Sequence, residues 1–140
     1  MANPTRFTKV GLTGRPSQTT QTDASLQGLV VKLPVVASGA EQSTTLTLPA
    51  NAIELSVVVR VLTAEVTGTT KTIDIGVVGN ADTLIDGADV SATGLVSKTG
   101  GAGESTFPVD LGGATITYAL GSADFLELVA EVVFYIVTAE

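Results

Sequence analysis

The chain of 140 residues has no cysteine, no histidine and no tryptophan. Without cysteine there is neither a disulfide framework nor a thiolate metal site. Without histidine the commonest general base, proton shuttle and transition-metal ligand are lost together. Hydrolytic and redox chemistry are therefore poorly served, and no catalytic residue, cofactor-binding residue, cofactor or metal site is expected. Aromatic residues make up only 4% of the chain, which leaves no aromatic platform for sugars. Charged residues are also scarce, at 15%. No apolar run reaches the roughly 18 residues that a membrane helix needs. The chain opens on polar MANPTRFTKV instead of a signal-peptide apolar region. No membrane partner is expected.

What charge there is divides unevenly. The net charge is -7, yet residues 1–24 carry Arg6, Lys9 and Arg15 against Asp23 alone, leaving the rest at -9. Phosphate binding depends on clustered Lys and Arg, so an acidic body argues against nucleic acid as a partner. The first 25 residues are rich in Thr, Gln, Ser, Gly and Pro, with isolated Phe7, Val10 and Leu12. Too few apolar groups are present there to offset the entropy of ordering. The sequence thus predicts an extended N-terminal arm over residues 1–25 and a β domain over 26–140. About 24 extended residues reach roughly 75 Å at about 3.3 Å each. That is far enough to lie across a neighbouring subunit.

From there on, alternation dominates. Leu126, Leu128, Ala130, Val132, Phe134 and Ile136 fall on every second residue of a long final run, with Glu127, Glu131 and Tyr135 between them. This is the period of a strand with one face buried. Ile53, Leu55, Val57, Val59 and Val61 make a matching dry face in an earlier run, opposite Glu54, Ser56 and Arg60, with Val58 and Leu62 as apolar intruders. Both runs have about 14 residues, well past the usual strand of about 5 to 6, so a bulge or bend is expected in each. Further strands are expected at Leu26–Val36, Ser43–Leu48, Lys71–Val78, Leu95–Lys98, Phe107–Val109 and Thr115–Leu120. Pro34 has no N–H to donate, so the first of them should end, bulge or lie at an edge there. Lys71–Val78 reads as the second arm of a hairpin with Ile53–Val66. Gly79–Ala92 reads as a compact loop or one helical turn, and 99–103 as a loop tip. With no amphipathic helix and no fixed-period repeat, the expected fold is all-β. A jelly-roll-like β-sandwich of about eight antiparallel strands fits the count best, with an immunoglobulin-like sandwich second because its Cys and Trp hallmarks are absent but not obligatory.

Two constellations invite chemistry and do not sustain it. Against a calcium loop with Gly87 at the sixth place, Asp82 and Asp86 fit the first and fifth. Leu84 and Thr93, however, occupy ligand positions, and an acidic turn is the better reading. Glu127 and Glu131 would stand about 13 Å apart along a strand, beyond the roughly 5 to 9.5 Å between the carboxyl groups of glycosidases. A solvated face is expected instead. Mean hydropathy is +0.43 with 44% hydrophobic residues, which reads as a β core plus an oligomer interface. That interface could use either Val129, Val133 and Val137 of the last strand or the intruders Val58 and Leu62. Alternation alone leaves both open.

The block VVVRVLTAEVTGTTKTIDIGVVGNADTLIDGADVSATGLV, followed by ATITYALGSADF and a terminal strand, resembles small virion structural proteins of tailed bacteriophages. The resemblance covers roughly residues 53 to 138 and is nearest in size and layout to head decoration, or cement, proteins. It implies an extended arm ahead of a compact β domain, commonly a jelly roll, assembled as a homotrimer on the capsid exterior with the major capsid protein as partner. Arg6, Phe7, Lys9 and Arg15 are the candidate capsid contacts, the cations for pairing with carboxylates and Phe7 as an anchor. The alternatives are a receptor-binding or fibre-tip module, which would present loops 79–92 and 99–103 to a surface sugar, and a tail or connector component.

Overall fold

The computed structural model describes residues 24–97 and 105–139. Eight strands lie among them: β1 (Ala24–Lys32), β2 (Gln42–Thr47), β3 (Ala52–Thr63), β4 (Thr72–Val77), β5 (Asn80–Asp89), β6 (Gly94–Val96), β7 (Thr115–Leu120) and β8 (Val129–Ala139). They form two four-stranded sheets, β1-β8-β3-β6 and β2-β7-β4-β5, and every recorded pairing is antiparallel. First pairs with eighth, second with seventh, third with sixth and fourth with fifth. The chain is in effect one long hairpin, closed at the β4–β5 turn and rolled over itself. This is a jelly-roll-like sandwich, as the strand count and turn spacing predicted.

The core lies between the sheets. Phe134 of β8 stands opposite Leu29 of β1 and Val57 of β3 in register, and Val132 opposite Val31 and Val59. Ile73, Ile75, Leu84, Ile85, Ile116 and Leu120 pack from the second sheet. Tyr118 also enters this core and donates its hydroxyl to the Pro34 carbonyl at 2.6 Å, so its polar tip is satisfied. The β3–β8 pair has the expected irregularities, between Glu54 and Ser56 and between Val61 and Thr63. β1 is an edge strand that stops at Lys32, before Pro34, as proline requires.

Several expectations need correction. Gly79–Ala92 is not a loop or helical turn: its residues 80–89 form β5. Between Ile73↔Ala88 and Val77↔Asn80, four residue steps of β4 face eight of β5, so the extra residues bulge out and break the alternation. Gly87, at φ 71°, sits in one of these irregularities, and its N–H donates to Asp74 Oδ1 at 2.8 Å. β3 and β4 are not a hairpin, since they belong to opposite sheets. Phe107–Val109 is not a strand; it contributes one bridge, Val109 to Glu54. Leu55, expected on the dry face, is 40% exposed and Glu54, expected on the wet one, is buried, because the bulge after Glu54 shifts the phase. Leu126 is likewise exposed, lying ahead of the first residue of β8.

Candidate interaction surface

The outer face of the β1-β8-β3-β6 sheet is apolar over most of its length. Register sets Val30, Val133 and Val58 side by side across β1, β8 and β3. Two residues along, Gly28, Tyr135 and Ser56 form the next row, and Leu26, Val137 and Ile53 the one after. In the other direction come Lys32, Glu131 and Arg60, with Leu95 of β6 beside Arg60, and beyond them Val129. The final strand's outward residues and the intruder Val58, two alternatives left open by alternation, are therefore neighbours on one surface. Exposed Leu62, one residue before the Thr63↔Val129 pairing, stands at the same end of the sheet.

Tyr135 is half exposed, and its ring leans towards Gly28, approaching to 3.9 Å of where a Cβ would stand. A Cβ at position 28 would meet this aromatic at ordinary van der Waals distance, and Ser56 on its other flank is also small. Arg60 donates to Glu131 at 3.0 Å, an ion pair across β3 and β8. Such an exposed pair contributes only about 0–1 kcal/mol, so its value here is orientation rather than stability.

At one end of the sandwich three carboxylates accept hydrogen bonds from backbone amides. Glu65 is buried, and accepts from Gly68 N–H at 2.8 Å and from the N–H groups of Leu126, Glu127 and Leu128 at 3.0–3.2 Å. Glu127 answers from the other turn, accepting from Val66 N–H, Thr67 N–H and the Thr67 hydroxyl. The Thr67 hydroxyl first, then the two amides, pull the Glu127 carboxyl down to about 2. Asp124 accepts from Ser122 Oγ and from the hydroxyl and N–H of Thr69, which hold its carboxyl well below the usual carboxylate range. The β3–β4 and β7–β8 connections are thus tied together by carboxylates, one of which, Glu127, is expected from the sequence on a solvated face. Glu127 precedes β8 and is not on a strand face with Glu131.

Glu54 is the other buried carboxylate. Its Oε1 accepts from Leu111 N–H at 2.7 Å, while Oε2 is buried without a hydrogen-bond partner. Burial pushes its carboxyl up, against the Leu111 hydrogen bond, with Asp110 adding repulsion. A folded-state value above the unfolded one means that Glu54's contribution is fully present below the unfolded pKa and is lost as pH rises through the folded pKa. Glu54→Gln keeps an acceptor for Leu111 and removes the charge. Its melting temperature relative to the parent protein is therefore expected to rise between pH 4 and pH 8, measured by circular dichroism. A constant difference across that range would show that Glu54 does not titrate in it.

The candidate capsid contacts Arg6, Phe7, Lys9 and Arg15 lie outside the described residues, as do the tip at 99–103 and all but the last two residues of the predicted arm. Asp82 and Asp86 fall on strand β5 and not in a loop that could wrap a cation. The groove of about 400 Å³ between edge strands β1 and β2 is lined by Val30, Lys32, Pro34 and Thr44, with no carboxylate to form an acid–base pair. Burial of Glu54 and Glu65 had no signal in the alternation, which marks polar residues as outward.

No protein-family model matches the chain, and no curated protein does. A chain of the cyanophage Pam1 capsid asymmetric unit is similar in structure, with a TM-score of 0.53 and 14% identity over 96% of this chain and 97% of that one. At that identity the likeness is one of fold. It extends end to end, so the two chains are of nearly equal length.

Proposed function

We propose that this chain is a non-enzymatic structural protein of a phage virion, and specifically a head decoration, or cement, protein. In this reading it binds the capsid exterior as a homotrimer, with the major capsid protein as partner, and stabilises the shell. The observation that carries the proposal is the end-to-end match to a chain of a phage capsid asymmetric unit, with neither chain leaving a large unmatched domain. The residue inventory supports it: with no histidine and no cysteine, the chain lacks the usual means of acid–base and thiolate catalysis.

The capsid contact is assigned to the arm. Arg6, Lys9 and Arg15 make residues 1–24 basic beside an acidic remainder. They would pair with carboxylates on the shell, and Phe7 would fill an apolar pocket. Deleting residues 1–20 is expected to abolish occupancy on expanded, emptied heads while leaving the oligomer's mass, corrected for the deletion, unchanged in light scattering. Unchanged occupancy would remove the arm from the mechanism. A full-length protein that ignores heads but binds a glycan array would identify a fibre-tip module instead.

A further inference from the structure

Resting on the trimer reading above, we infer that the outer face of the β1-β8-β3-β6 sheet is the surface on which copies of this chain contact one another. From Val129 to Val137 the face runs about 27 Å at about 3.4 Å per residue, and three strand spacings of about 4.8 Å give a width of about 14 Å. That is about 400 Å² in plan, well within the roughly 300–600 Å² of the largest apolar patches on monomers, which are themselves often functional. It is also about half of the roughly 800 Å² per partner in a standard interface, the remainder coming from the rim.

Charge selects a second copy as the occupant. Among the described residues there are three cations, and two of them, Lys32 and Arg60, are on this face; ten of the eleven carboxylates lie elsewhere, Glu131 being the exception. The face therefore carries a local +1 on a chain of net -7. Copies approaching through their acidic surfaces repel, whereas this face attracts the acidic body of a neighbour. Such a contact joins two different surfaces, and repeated by a rotation that closes it gives a ring. The anatomy agrees: valines and Tyr135 at the centre, with the charged row towards one end.

The test is light scattering on the purified protein, without heads, so its outcome does not depend on the decoration reading. Val58→Glu with Val133→Glu places two carboxylates in the middle of the face. The inference expects a folded species of one third the parent mass, while Val78→Glu, at an exposed site beside the β4–β5 turn, leaves the mass unchanged. If the glutamate pair fails to fold by circular dichroism, Val58→Thr with Val133→Thr keeps shape and strand preference. Its dissociation midpoint on dilution should then rise at least tenfold. A monomeric parent protein, an unchanged mass for the glutamate pair, or an unchanged midpoint for the threonine pair overturns the inference. So does a glutamate pair that stays trimeric but no longer binds heads, which would give this face to the capsid. A parent trimer that ignores heads, with variants that dissociate as expected, would sink the decoration reading and leave this inference standing.

Discussion

Glu65→Ala is expected to destabilise the protein by about 3 to 5 kcal/mol, with each orphaned buried amide costing about 1–3 kcal/mol and water rescuing some of them. The side chain is 1% exposed and serves four amides from two connections: Gly68 in its own turn, and Leu126, Glu127 and Leu128 ahead of β8. Removing it leaves those donors without an acceptor and opens a cavity beside Phe125, whose ring lies 2.7 Å from where a Cβ on Gly68 would stand. For a domain whose whole stability is on the order of 5–15 kcal/mol, this is a large fraction. Glu65→Gln separates the causes. It fills the same space and keeps one carbonyl oxygen for the Leu126, Glu127 and Leu128 amides, but it turns an NH₂ towards Gly68 N–H, so it should recover the cavity cost and only part of the hydrogen-bond cost. Urea midpoints of the two variants decide it. If Gln is as stable as Glu, one acceptor oxygen suffices and the Gly68 hydrogen bond adds nothing; if Gln is no better than Ala, the filled space adds nothing.

The same residue shows why the sequence reveals the sheets better than the connections. Strand identity follows from alternation, because burying one face of a sheet forces apolar residues to every second place. β7 and β8, and the second half of β3, could be read directly for that reason. Alternation has no means of marking a carboxylate that is buried to collect amides, and Glu65 looks like any polar residue at a strand end. A bulge defeats it differently. One extra residue at Leu55 reverses inside and outside, so Glu54 exchanges places with its neighbour. In β5 the irregularities are larger, and Leu84 and Ile85 are buried consecutively among residues of low strand preference. The outer apolar face needed one more quantity, the register between β3 and β8. Neither strand alone shows that Val58 stands beside Val133.

Gly76→Ala is expected to cost about 3 kcal/mol, at the upper end of the range for overpacking, because the added methyl meets backbone and not a yielding side chain. A Cβ there would stand 2.0 Å from the Asn80 carbonyl oxygen and 2.5 Å from the Ala81 carbonyl carbon. β5 reaches this close because its extra residues fold back over β4 at Gly76. Gly76 itself is buried, and so is Thr117, its partner in register on β7. To admit the methyl, Asn80 and Ala81 must lift away from β4, opening the turn on which the rolled hairpin closes. The damage should therefore be local first. Amide exchange in residues 77–85 is expected to accelerate before exchange in β8 does, and the urea midpoint to fall. Gly39→Ala provides the comparison, since its Cβ would approach nothing closer than the Leu120 carbonyl at 3.4 Å. Its effect should stay within about 0.5 kcal/mol, the usual range for surface substitutions. Equal losses at the two sites would mean that the glycines matter through chain entropy and not through the close passage of β5 over β4.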